Sequence, residues 1–223
     1  MNINPKTTCL VLDLDDTLYK EYDYQTSGLS FIERELSVLY GVDLNDYLIH
    51  LRDKGVSDIF LETLDFLGLP KDTKESLLFL YRNHMPKINL TEDTLSFMQS
   101  IKLDFNQVAI VTDGRSISQR LKLKALGLDN IPAYISEEWG SKKPDEKRFI
   151  AIMEKYQNCS LFCYIGDNPA TDFIAPNKLN WLTYCLKGND KNIHSQSIKG
   201  ISKEFLPNHY LNNLSEFFSF VKY

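Results

Sequence analysis

The sequence predicts an α/β chain: a doubly wound, Rossmann-like parallel-sheet core carrying an inserted helical bundle. Three observations carry that expectation. Short apolar runs alternate with helical patterns. Acidic residues cluster at the exits of several of those runs. A long stretch between the first two runs holds helical patterns only.

The first run is Cys9-Leu10-Val11-Leu12. A short, unbroken apolar run leaves no polar side for water, so it reads as a strand buried on both faces. Similar runs recur at residues 108–111, 134–135, 161–165 and 181–186. A helix is expected over 116–126, stopped by Gly127. Another is expected over 145–156, with Phe149, Ile152, Met153 and Tyr156 on one face. A last amphipathic helix is expected over 211–221.

Residues 20–90 contain four helical patterns. Ser30 and Glu33 have capping-box spacing ahead of Leu36 and Leu39, with Gly41 as the stop. Leu44, Tyr47, Leu48 and Leu51 share a face that closes at Gly55. Ile59, Phe60, Leu64 and Leu67 follow, ending at Gly68; Leu77, Leu78, Leu80 and Tyr81 form the fourth group before Pro86. Roughly seventy residues far exceed a crossover helix, so an accessory module is expected. The core then comprises 1–19 and 91–223, and the cap 20–90.

The 223 residues are 43% hydrophobic and 25% charged, enough apolar material for a sizeable core. A net charge of -5 without a Lys/Arg-rich run argues against a nucleic-acid or acidic-membrane partner. No apolar run reaches membrane-span length, and Asp13 interrupts the N-terminal one, so neither a span nor a signal peptide is expected. The four cysteines lack zinc-site spacing; they read as reduced thiols of a cytoplasmic protein.

Four motifs carry the chemistry. Asp13-Leu14-Asp15-Asp16-Thr17 sits at the exit of the first strand, where open parallel sheets bind ligands. Carboxylates gathered there repel by about 4 kcal/mol per contact pair at an effective dielectric near 20, which a hard divalent cation would relieve. Thr112-Asp113-Gly114 ends the second strand with a hydroxyl and a turn able to present N–H groups to an anion. Lys142-Lys143-Pro144-Asp145 precedes a helix, and Pro144 would fix the direction of Lys143. Gly166-Asp167-Asn168-Pro169-Ala170-Thr171-Asp172 brings two more carboxylates to another strand exit. Taken singly, each is ambiguous: acidic turns and helix caps use the same residues.

In combination and order, the four resemble the motifs of the haloacid dehalogenase superfamily, over most of the chain. The insert resembles the small helical cap of that superfamily's first subgroup. The resemblance implies a phosphoric monoester hydrolase in which Asp13 is the nucleophile and Asp15 the general acid, then base. It implies Mg²⁺ held by Asp13, the backbone carbonyl of Asp15, and Asp167, with Asp172 supporting the metal waters or Lys143. It further implies that Thr112, the N–H groups around Asp113 and Gly114, and Lys143 bind the phosphate. Dehalogenases of the superfamily lack the second aspartate, so Asp15 favours phosphoryl transfer.

One departure stands out: related capped phosphatases often carry asparagine where this chain has Asp113. A substrate hydroxyl or Arg115 is a candidate partner for it. Tyr22, Tyr24 and Arg115 are candidates for substrate contact. The substrate is expected to be a small phosphorylated metabolite. The run 166–181 resembles hydrolases associated with bacterial surface-polysaccharide genes, which implies a sugar phosphate or a nucleotide-linked sugar precursor. A phosphomutase of the same fold, an idle binding module and a response-regulator receiver are the alternatives.

Overall fold

Strand β1 (Thr8–Leu12) is buried along its whole length, as an unbroken apolar run requires. In the computed structural model, which describes residues 2–189 and 191–222, it lies in the middle of a six-stranded parallel sheet. Positions 1 and 223, the ends of the expected core segments, lie outside the described residues.

The other strands are β2 (Gln107–Thr112), β3 (Ala133–Ile135), β4 (Leu161–Gly166), β5 (Leu182–Leu186) and β6 (His209–Leu211). Their order is β3-β2-β1-β4-β5-β6, so the sheet grows outward in both directions from β1. Leu12 pairs with Ile110 of β2 on one side and Ile165 of β4 on the other. The carboxyl ends of β1, β2 and β4 therefore converge where the strand order reverses, the place at which such sheets bind ligands.

Alternate residues face opposite layers. Leu10, Leu12, Ile110 and Ile165 pack with Phe97 and Phe217 on one side. Cys9, Val11, Val111 and Tyr164 pack with Phe149 and Trp181 on the other. Cys9, Cys163 and Cys185 are buried free thiols.

The insert contains α1 (Glu21–Tyr40), α2 (Tyr47–Asp53), α3 (Ile59–Leu67) and α4 (Lys74–Asn83). Leu29, Ile32, Leu36, Leu48, Leu64 and Leu77 give it an apolar core of its own. Gly28 lets α4 close on α1, since a Cβ there would stand 2.4 Å from the Tyr81 ring. The core helices are α5 (Glu92–Asp104), α6 (Ser116–Ala125), α7 (Ser136–Trp139), α8 (Lys147–Lys155) and α9 (Ile174–Lys178).

Two local expectations are corrected. Ser30 does not start a helix: α1 is continuous from Glu21, and Ser30 lies inside it. Glu33, instead of closing a capping box, accepts the backbone N–H of Leu48 at 2.6 Å, satisfying an orphan donor in the first turn of α2. The C-terminal segment is β6 followed by a 3-10 helix, Leu214–Phe220, rather than an α-helix. Within the 3-10 helix Leu214 and Phe217 are buried three residues apart, the period that places side chains on one edge of such a turn. Among the described residues, no helix is long and apolar enough to cross a membrane.

Candidate active site

Asp13 is the first residue beyond β1, and its N–H still donates to Ile165 of β4 at 2.8 Å. That bond fixes the backbone from which the carboxylate leaves the sheet. Asp167 is the first residue beyond β4. Asp172 folds back on it, accepting the N–H groups of Asp167 at 3.1 Å and Asn168 at 2.8 Å. All three aspartates are buried, and each offers an oxygen within 4.8 Å of the others. Lys143 meets them: its Nζ lies 2.7 Å from Asp13 Oδ1 and 2.7 Å from Asp172 Oδ1.

Burial opposes ionisation of this group. Burial pushes Asp13 above the ordinary carboxylate range, and Lys143 pulls the other way. Burial, then Asp172 and Asp16, push Asp167 up to about 7. Burial alone would lower Lys143, but Asp13 and Asp172 outweigh it and hold the ammonium protonated. Three carboxylates against one ammonium leave uncompensated negative charge. An all-oxygen donor set of this kind suits a hard divalent cation.

Beside the trio, at the end of β2, Thr112 is fully buried and its hydroxyl has no hydrogen-bond partner among the described residues. A buried hydroxyl without a partner is costly and points to a ligand that completes it. Thr112, Lys143 and the acidic trio share a cavity of about 300 Å³.

Asp15 lies on the same cavity wall, but its carboxylate is drawn to the helical side. It accepts Lys122 Nζ at 2.8 Å, Gln119 Nε2 at 2.7 Å and the Tyr19 hydroxyl at 2.5 Å. Burial would raise its pKa; Lys122 and the hydrogen bonds around it win and hold Asp15 well below the usual range. Lys122, itself buried, also meets Glu21 at 2.7 Å and so links the first residue of α1 to the core. Neither contact is readable from local sequence, because Lys122 is 107 positions from Asp15.

Several expected contacts are placed otherwise. Asp113 pairs with Arg148, not Arg115; Arg115 faces Glu137 at 3.7 Å. The N–H of Gly114 donates to Ser136 Oγ at 2.9 Å and is not free for an anion. Gly114 is nonetheless required by crowding, since a Cβ would stand 2.5 Å from the Gln119 side chain. Pro144 does not open α8, which begins at Lys147. Lys143 is held by its own N–H on Asp113 and by its ion pairs. Tyr22 stacks under Arg52 at 3.9 Å and Tyr24 is buried against Tyr81 and His84; neither lines the cavity. The insert reaches the cavity through Glu21 and Gln25, one helical turn apart on α1, and the segment after β5 does so through Ile193 and His194.

A family model, haloacid dehalogenase-like hydrolase, matches residues 10–184, a span that holds all four strand-end motifs. The chain belongs to that family. As a haloacid dehalogenase-like hydrolase it shares its fold with solved structures of low sequence identity. One is the HAD-hydrolase YfnB from Bacillus subtilis, bound to magnesium, at 18% identity and TM-score 0.64, covering 96% of this chain and 98% of that one. A HAD family hydrolase from Deinococcus radiodurans, with bound phosphate and sodium, has 16% identity and TM-score 0.61 over 96% and 94% of the chains. The 2-haloacid dehalogenase from Pseudomonas syringae has 15% identity and TM-score 0.60 over 96% and 97%. No curated protein matches the sequence. A HAD phosphatase from Thermococcus onnurineus, at 18% identity and TM-score 0.57 over 95% and 96% of the chains, shares the fold as the dehalogenase does, so the choice between the two chemistries rests on the site.

Proposed function

We propose that this hydrolase is a magnesium-dependent phosphatase acting on a small phosphorylated metabolite through an aspartyl-phosphate intermediate. The observation that carries the reading is the convergence of Asp13 with Asp167, Asp172 and Lys143 in one buried cluster. Displacement of halide from carbon needs no second cation and no proton for the leaving group. Three buried carboxylates around one point and a further aspartate two residues on would then have no task. Phosphoryl transfer uses both, since a phosphate dianion must be neutralised and an alkoxide leaving group protonated.

Asp13, the backbone carbonyl of Asp15, and Asp167 would hold Mg²⁺, with Asp172 steadying the site from behind. Magnesium, when bound, orients the phosphate and offsets charge on the transferring group. In the first half-reaction an Asp13 oxygen attacks phosphorus, the ester P–O bond breaks, and Asp15 gives a proton to the departing oxygen. In the second, Asp15 takes a proton from water as that water attacks the aspartyl phosphate, releasing inorganic phosphate and restoring Asp13. The ionised state that Lys122 enforces on Asp15 suits the second half. The first half requires Asp15 to carry the proton it took from water in the preceding turnover, with one of its three donors released to make room for it. Thr112 and Lys143 would bind the phosphate oxygens, as charge-assisted and hydroxyl donors.

A cavity of about 300 Å³ beneath the helical insert favours small substrates, among which a sugar phosphate or nucleotide is the leading class. The insert, acting as a cap, would exclude bulk water and large substrates. The same reading places the enzyme in the cytoplasm, with no nucleic acid or membrane partner; its buried free thiols accord with a reducing compartment. A magnesium-supplemented phosphate-release screen over sugar phosphates, nucleotides and phospho-acids tests the proposal. Phosphate release that stops on chelation is expected. Halide release from haloacids with no phosphate released from any ester would overturn it.

A further inference from the structure

Arg148 is completely buried, although it belongs to a helix whose remaining charged residues face water. Its guanidinium gathers three groups at the strand ends. One nitrogen donates to the carbonyls of Thr112 at 2.8 Å and Tyr134 at 3.1 Å. The other donates to the carboxylate of Asp113. Asp113 in turn accepts the backbone N–H of Lys143 at 3.0 Å. The chain of contacts therefore ends on the backbone of the two residues whose side chains are read above as phosphate ligands, the carbonyl of Thr112 and the N–H of Lys143.

We propose that Arg148 and Asp113 act as one positioning unit for the phosphate site. Arg148 masks the charge of Asp113, and the masked carboxylate anchors the loop that carries Lys143. This explains how an aspartate is accommodated beside a phosphate. Asp113 reaches the cavity wall, where an unmasked carboxylate would repel a dianion. The planar fork of an arginine fits the task, because it serves two carbonyls and a carboxylate from one fixed plane. Neither residue is required to touch substrate.

The inference rests on the phosphatase reading, and its test separates the two. Binding of inorganic phosphate in the presence of Mg²⁺, and of Mg²⁺ alone, is measured by calorimetry on the full chain. The parent, Arg148→Met, Asp113→Asn and the double variant are compared, with circular dichroism to establish folding. Arg148→Met exposes the Asp113 charge and frees the loop, so phosphate affinity falls by about tenfold or more, the scale of a lost charge-assisted contact. Magnesium affinity stays near the parent's, because no metal-site carboxylate is bonded to Arg148. Adding Asp113→Asn removes the unmasked charge and recovers most of the phosphate affinity, whereas a merely structural arginine would leave the double variant worse than either single one. If Arg148→Met does not fold, Arg148→Lys takes its place: the charge is kept, the fork is lost, and phosphate affinity falls between parent and the Met prediction. Unchanged phosphate affinity in the Arg148 variant, or a double variant worse than both singles, overturns the proposal. A parent that binds no phosphate with Mg²⁺ overturns the phosphatase reading and this role with it.

Discussion

The ammonium of Lys143 stands 2.7 Å from Asp13 Oδ1, and both side chains are only 6% exposed. Lys143 thus sits on the atom proposed to attack phosphorus, facing Asp172 on its other side. Lys143→Met removes a positive charge needed by the phosphate and also one that repels magnesium. The variant is expected to bind Mg²⁺ as tightly as the parent or more tightly, while phosphate release falls by about three orders of magnitude. Parallel calorimetry and rate measurements check this. Joint loss of metal binding and activity would assign Lys143 to the fold instead.

Asp167 gives the site a pH signature. Its folded-state pKa of about 7 lies above the ordinary value near 4, so the folded protein holds the proton more tightly than the unfolded chain. Without metal, stability is greatest at low pH with respect to this group and is lost as pH rises from about 4 to about 7. Magnesium competes with that proton, so its affinity should increase with pH through the same range. Melting temperatures with and without MgCl₂ between pH 5 and 8 report both effects. A magnesium-induced shift independent of pH would contradict the assignment.

Lys122 lies between Asp15 at 2.8 Å and Glu21 at 2.7 Å, and its side chain is 4% exposed. Lys122→Met leaves two carboxylates side by side without their cation. The expected cost is about 3 kcal/mol or more, the scale for breaking a buried ion pair from one end. Adding Glu21→Gln should return part of it, and urea denaturation of the single and double variants measures the difference. Additive losses would show that the three groups do not act together.

Thr112→Val separates folding from binding. The Thr112 hydroxyl is buried and has no partner among the described residues, so replacing it with a methyl group should leave stability unchanged or raised. Phosphate affinity should nevertheless weaken by about tenfold, as expected for a lost hydrogen bond to a charged ligand. Lower stability with unaltered phosphate binding would give Thr112 a purely structural role.

The parts of the site legible in the sequence are those tied to strand exits. Asp13, Thr112 and Asp167 each follow an apolar run, and a parallel sheet brings such exits together at one edge. The supporting residues were hidden for different reasons. Lys122 and Gln119 approach Asp15 from a helix more than a hundred positions away. Glu21 and Gln25 reach the cavity only because α1 starts at Glu21, upstream of the apparent capping box. Tyr22 and Tyr24, named as candidates for substrate contact, pack instead against Arg52 and against Tyr81 and His84, partners that local sequence does not show. Arg148 did leave a signal. It precedes Ile152 by four residues and so falls on the buried face of its helix, where a charge requires a partner.

The most direct test of the account is to quench the enzyme with acid during turnover of a phosphate monoester and map the modified peptide by mass spectrometry. One phosphoryl group on Asp13 is the predicted result, present in the parent with magnesium and absent from Asp13→Asn, which should also be inactive and folded. Phosphate release by Asp13→Asn at the parent's rate, with no phosphorylated aspartate in either protein, would contradict it.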